Sequence, residues 1–166
     1  MQLFSLDGKL YQLSLRVWRL VQLNFLWIVF SLPIVTIGAS TVAAYTVTHK
    51  MVEAKDEKVI DAFIKSFRDN WKQGIPLGLI HLIVFYSFYF NIEFLSQFDE
   101  VPVVFFIAVI VIEFLGMLFL TYSLPLCARY HNSMLGTLKN SVTIAMKYFG
   151  TTFLLWIALG FLVFFF

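Results

Sequence analysis

The chain has 166 residues, of which 60% are hydrophobic and only 13% charged. Soluble domains carry roughly 45–50% apolar and about 25% charged residues, so part of the solvent around this chain is expected to be lipid. The net charge of +2 gives no support to a nucleic-acid partner, and the lone Cys127 excludes an internal disulfide and meets no metal-ligand spacing.

The position of the charges says more than their sum. All Lys and Arg residues fall in three windows: Lys9, Arg16 and Arg19; then Lys50, Lys55, Lys58, Lys65, Arg68 and Lys72; then Arg129, Lys139 and Lys147. The segment near residues 93–100 carries only acid, Glu93, Asp99 and Glu100. Basic loops stay cytoplasmic when a membrane protein inserts, so the windows predict a cytoplasmic N-terminus.

Residues 17–35 form the first predicted span, long enough for a bilayer core that takes about 20 apolar residues. Arg16 and Arg19 before it and Gly38-Ala39-Ser40 after it resemble a secretory signal, but further apolar segments follow, so an uncleaved helix is expected. Pro33 and Gly38 break this helix. Residues 36–53 are only moderately apolar, yet a span there returns the chain to the basic side and removes a conflict of charge. Gly38, Ala39, Ser40, Ala43 and Ala44 would let it pack tightly against the first.

Residues 57–73 predict an amphipathic helix outside the membrane core. Ile60, Phe63, Ile64, Phe67 and Trp71 recur at helical spacing, with Lys58, Asp61, Lys65, Arg68, Asp69 and Lys72 on the other faces. Such a helix lies in the headgroup plane or docks on a partner, and the candidate docking face is Phe63, Phe67, Trp71, Lys65 and Arg68. Residues 75–98 form the next span, in which Gly74 and Gly78 make a GxxxG spacing at the start. Asp99, Glu100 and Pro102 mark an external turn, and residues 102–126 descend as the fourth span. A second cytoplasmic amphipathic segment is expected at 135–148. A fifth span, 150–166, is still apolar at Phe164-Phe165-Phe166, and a natural sequence is expected to continue through a sixth. The expectation is an all-α, polytopic transmembrane helix bundle, a single membrane domain with about five spans.

Three blocks carry a family resemblance: LWIVFSLPIVTIGASTVAAYTVTHK (Leu26 to Lys50), AFIKSFRDNWKQG (Ala62 to Gly74) and YSLPLCARYHNSMLGTLKNSV (Tyr122 to Val142). In order and over most of the chain they resemble the YesL-like family of bacterial integral membrane proteins, whose function is unknown. The resemblance implies a multi-span protein of Gram-positive-type bacteria, often encoded beside carbohydrate ABC importers and polysaccharide-degrading enzymes. It implies a C-terminus typically longer than this one. It carries over no catalytic or ligand residue, because none is defined for the family.

Glu113 is the sharpest anomaly, about 11 residues into the fourth span. An intramembrane carboxylate costs several kcal/mol, of order ~3, unless it is neutral or paired, so it is a candidate functional residue. At 1.5 Å per residue, His81 lies roughly 9 Å above the inner face and Glu113 roughly 14 Å, depths that allow a Glu–His contact between neighbouring antiparallel helices. Asn24 comes to a similar depth, with Gln22, Tyr45 and His49 less deep. Glu113, His81 and Asn24 therefore form the candidate intramembrane site, for a proton, an ion or a sugar hydroxyl. The structural alternative is a neutral Glu113 bonded to His81, Asn24 or a backbone carbonyl, serving helix packing. Arg129 and His131 read as solvated or phosphate-contacting groups at a cytoplasmic end.

No HExxH, CxxC, GxSxG or phosphate-loop pattern occurs, so no catalytic residue, metal or other cofactor is expected. Ser-Leu-Pro occurs at Ser31–Pro33 and at Ser123–Pro125, and three-plus-three inverted repeats are a transporter device, but the residues after the two motifs do not match. The expected role is a non-enzymatic accessory or regulatory component of carbohydrate uptake, in contact with sugar ABC permease subunits. The alternative is a small stand-alone transporter using the Glu/His site.

Overall fold

A computed structural model describes residues 9–53, 58–95, 97 and 102–165. Lys55, Asp99, Glu100 and Phe166 lie outside them, and with them most of the predicted external turn. The described residues are helical throughout: α1 (Lys9–Ser31), a 3-10 turn (Ile34–Thr36), α2 (Ile37–Val52), α3 (Val59–Leu95), α4 (Val103–Leu120), α5 (Ser123–Arg129), α6 (Met134–Lys147) and α7 (Phe149–Phe165). They group into two compact units, one up to Ile75 and one from Pro76 onward.

Among the described residues, Leu10–Ser31, Val59–Leu95 and Val103–Arg129 are long and apolar enough to cross a membrane. The pair Met134–Lys147 and Phe149–Leu162, bent by 93°, makes a fourth if read as one broken span. The predicted second span is helical, but α2 has 16 residues and rises about 24 Å, short of a core of about 30 Å. No break in the helix marks the predicted passage from the amphipathic segment to the third span. The 37 residues of α3 run through Gly74 and Pro76 as one helix.

In the first unit, α1 ends where Pro33 follows, because the residue before proline avoids helical backbone. Its last turn leaves carbonyls without intrahelical donors, and Thr36 Oγ1 donates to Phe30 O at 2.6 Å and to Pro33 O at 2.7 Å. The chain then turns back as α2. Trp27 Nε1 donates to Thr41 Oγ1 at 3.1 Å near the turn. At the far end Arg16 and Arg19 share the lining of a cavity of about 650 Å³ with Thr48, Met51 and Val52. Arg19 also lines a cavity of about 570 Å³ with Lys58 and Asp61. The first two basic windows thus meet at one end of this unit, as an antiparallel α1–α2 hairpin requires.

α2 is moderately apolar by composition but makes few polar demands. The hydroxyls of Ser40, Thr41, Thr46 and Thr48 each donate to the carbonyl four residues earlier, at 2.8–3.0 Å. Its fully buried small residues receive α3: a Cβ built on Gly74 would lie 2.7 Å from Ala39 Cα. The core gathers Leu23, Ala43, Val47, Val59, Ala62 and Phe63, with Leu26, Phe30 and Phe67 packed against it. Phe30 meets Phe63 and Phe67 edge-on, at 5.3 and 5.0 Å between centroids.

In the second unit the dominant feature is a break after α4. Pro125 cannot donate to Thr121 O and its ring crowds that carbonyl, so the helix stops at Leu120 and restarts at Ser123. Pro125 then falls in the first turn of α5, where a missing N–H is tolerated. The two Ser-Leu-Pro motifs therefore stand differently, since Ser31 closes α1 whereas Ser123 opens α5. Ser31 Oγ is buried and finds no hydrogen-bond partner among the described residues.

Gly74→Ala should separate α3 from α2, because the added methyl meets backbone that cannot swing aside. The expected loss is about 1–3 kcal/mol of stability. Thermal unfolding followed by circular dichroism in detergent checks it, and an unchanged midpoint would contradict the packing.

Candidate functional site: polar clusters between α3 and α4

α3 and α4 lie side by side in one antiparallel register. A methyl on Gly116 would sit 3.7 Å from Val84 Cγ1. On one side of that point Glu113 faces Ser87 and Asn91, and on the other Leu120 and Ser123 face His81.

Glu113 Oε1 accepts from Ser87 Oγ at 2.6 Å and from Asn91 Nδ2 at 2.8 Å. Asn91 Nδ2 also lies 3.4 Å from Ser87 Oγ. Ser87 and Asn91 are four residues apart and so share one face of α3, which lets both reach the same oxygen. All three side chains are half-buried. Both donors reach Oε1, whereas Oε2 accepts from none of the described residues.

The Glu113–His81 contact that depth alone allows is not formed. His81 sits in a separate cluster, with Nδ1 at 2.8 Å from Leu77 O and Nε2 at 3.1 Å from Leu120 O. Ser123 Oγ lies 3.5 Å from Nε2 and donates to Leu120 O at 2.9 Å. A neutral imidazole has one N–H and serves one of these carbonyls at a time; a doubly protonated ring serves both. Depth counted separately from each membrane face left the α3–α4 register undetermined. The true register shifts the expected pairing by roughly 12 Å along the axes, from 1.5 Å per residue. Asn24 does not join either cluster; its Nδ2 donates at 2.9 Å to Leu20 O in its own helix.

The His81 cluster belongs to a larger buried network around the break. Ser141 Oγ of α6 donates to Phe119 O. Trp156 Nε1 of α7 donates to Thr121 Oγ1 at 2.8 Å, and Tyr122 Oη pairs with Thr152 Oγ1 at 2.9 Å. Ser123, Ser141 and Thr152 are fully buried. Sequence reasoning missed these residues and also Ser87 and Asn91. The usable signals were a polar pair four residues apart inside an apolar run, and a proline that frees carbonyls beside a concentration of Ser and Thr.

The candidate docking face is also rearranged. Phe63 is fully buried and Phe67 packs on the same core, because α1 and α2 cover that stripe. Lys65, Arg68 and Trp71 remain exposed, with Ile60 and Ile64 beside them. Among the described residues no group of three His, Cys, Asp or Glu side chains could hold a metal ion.

If Glu113 ties α3 to α4, truncation leaves two donors without an acceptor. A double-mutant cycle of Asn91→Ala and Glu113→Ala should return a coupling of about 0.6–1.7 kcal/mol, the range of interhelical hydrogen bonds in membranes. Denaturation in mixed detergent micelles measures it, and a coupling of zero would remove the bond from the account.

Comparison with known proteins places these clusters in a family context. Residues 20–92 match the family described as "Protein of unknown function, DUF624". The match holds the first two sequence blocks and His81, Ser87 and Asn91; the third block and Glu113 lie outside it. The chain is 32% identical over 88 residues to "Uncharacterized protein YesL" of Bacillus subtilis (strain 168), an alignment covering 51% of this chain and 42% of that protein. The chain thus spans well under two thirds of this relative's length. No solved structure matches. By these two matches the chain is similar, over part of its length, to a family of unknown function and to YesL.

Proposed function

We propose that this chain is a multi-pass protein of the bacterial cell membrane with its N-terminus in the cytoplasm. In this reading it works without an enzymatic centre, as an accessory or regulatory component of carbohydrate uptake beside the permease subunits of an ABC importer. The observation that carries the membrane reading is the set of three long apolar helices, whose side chains stay largely exposed after the described residues have packed. In water such surface would aggregate; in lipid it is solvated. The meeting of the first two basic windows at one end of the α1–α2 hairpin supports the orientation. The uptake role is supported by the family resemblance alone. With Phe63 and Phe67 inside, the face offered to a partner reduces to Ile60, Ile64, Lys65, Arg68 and Trp71.

A second reading, a stand-alone transporter, is favoured by one observation: Glu113 is bonded on one carboxylate oxygen only among the described residues. A carboxylate with one oxygen held and one available can bind and release a proton or cation during a cycle.

Pull-down from native membranes with mass spectrometry decides between them. The accessory reading expects ABC permease subunits to be retained, and Trp71→Ala with Arg68→Ala to lose them. Flux through proteoliposomes containing the purified chain alone, abolished in Glu113→Gln with stability unchanged, would favour the transporter. Retention of no permease together with no flux would remove both roles.

A further inference from the structure

We infer that α6 lies in the membrane plane and holds anionic phospholipid headgroups along its Lys139–Lys147 edge. The inference rests on the membrane reading above.

α6 divides into three faces, not the two of an ordinary amphipathic helix. Thr137, Ser141 and Ala145 are buried, and the Ser141 hydroxyl reaches Phe119 O of α4. Leu135, Val142 and Met146 are exposed, Leu135 at 79% and Met146 at 60%. Lys139, Thr143 and Lys147 are also exposed and, spaced by four, share a third face. One face on protein, one apolar and one cationic suits a helix lying where lipid meets water. The 93° bend to α7 fits the same placement. If the apolar α7 enters the bilayer along its normal, α6 runs parallel to the surface.

Charge selects the occupant. From Phe114 to Phe166 the sequence contains Arg129, Lys139 and Lys147 and no Asp or Glu. The Lys139 and Lys147 ammonium groups make no ion pair among the described residues; Lys147 Nζ lies 5.5 Å from the Tyr148 ring, and Arg129 Cζ 5.7 Å from that of Tyr130. Tyr beside a cation is characteristic of the headgroup level, where the aromatic ring sits between apolar and wet layers. Two lysines on one edge, roughly 12 Å apart at 1.5 Å per residue, suit neighbouring lipid phosphates, and among the described residues no acid pairs with them.

The test uses the full chain in mild detergent, titrated with phosphatidylglycerol or phosphatidylcholine and read by native mass spectrometry. The chain should prefer phosphatidylglycerol, and each lysine near an anionic surface should contribute about fivefold. Lys139→Gln with Lys147→Gln should then lose roughly 25-fold of the preference, and the corresponding Arg pair should keep it. If the double variant does not fold, Lys139→Gln alone should lose about fivefold. Equal binding of the two lipids, a preference that survives the Gln pair, or displacement of phosphatidylglycerol by equimolar inorganic phosphate would overturn the inference. The membrane reading fails separately, if the chain is extracted from vesicles by alkaline carbonate.

Discussion

A helix that breaks in apolar surroundings exposes carbonyl groups that water cannot reach, and satisfying them organises both units of this protein. Lipid offers no hydrogen-bond donors, so irregular backbone persists there only where side chains supply them. At the α4–α5 break the Phe119 carbonyl takes the Ser141 hydroxyl, and the Leu120 carbonyl takes Ser123 and faces His81. At the α1–α2 turn Thr36 serves Phe30 and Pro33. The repairs by Thr36 and Ser123 are local, whereas those by Ser141 and His81 draw α6 and α3 to the break. The hydroxyls of α6 and the imidazole of α3 meet at the end of α4 because the carbonyls there have no donor of their own.

The same requirement separates His81 from Glu113, both half-buried between the second and third basic windows. His81 lies between two backbone carbonyls, Leu77 O and Leu120 O, which makes it part of the scaffold at the break. Glu113 is held by side chains only, the Ser87 hydroxyl and the Asn91 amide, and both act on one oxygen. Glu113 thus contacts side chains of α3, whereas His81 contacts backbone. In the first unit, where no such break falls mid-helix, close approach of Gly74 to Ala39 and the Phe30–Phe63–Phe67 contacts hold the helices instead.

Much of the helical layout was legible in the residues. Pro33 announces the interruption at Ser31, and the basic windows require the chain to turn back before Lys50 even though α2 has weak hydropathy; the break after Leu120 falls inside the expected fourth span, and Pro125 was the signal for it. The hydroxyls of α2 explain that weakness, since hydropathy counts each Ser and Thr as polar while the helix satisfies them internally. Near Gly74 the helix itself is unbroken: Gly74 allows close packing on Ala39 and α3 continues through Pro76.

By itself the sequence determined the all-helical character, the apolar character of the long helices, the clustering of the basic residues and the isolation of Glu113 in an apolar run. These follow from periodicity and transfer free energy, which act on each segment alone. Only the tertiary structure decided which residues Glu113 and His81 touch, and that Phe63 and Phe67 turn inward. Such contacts depend on how one helix slides along another, and a shift of a single turn in that register exchanges every partner while leaving the composition of each helix unchanged.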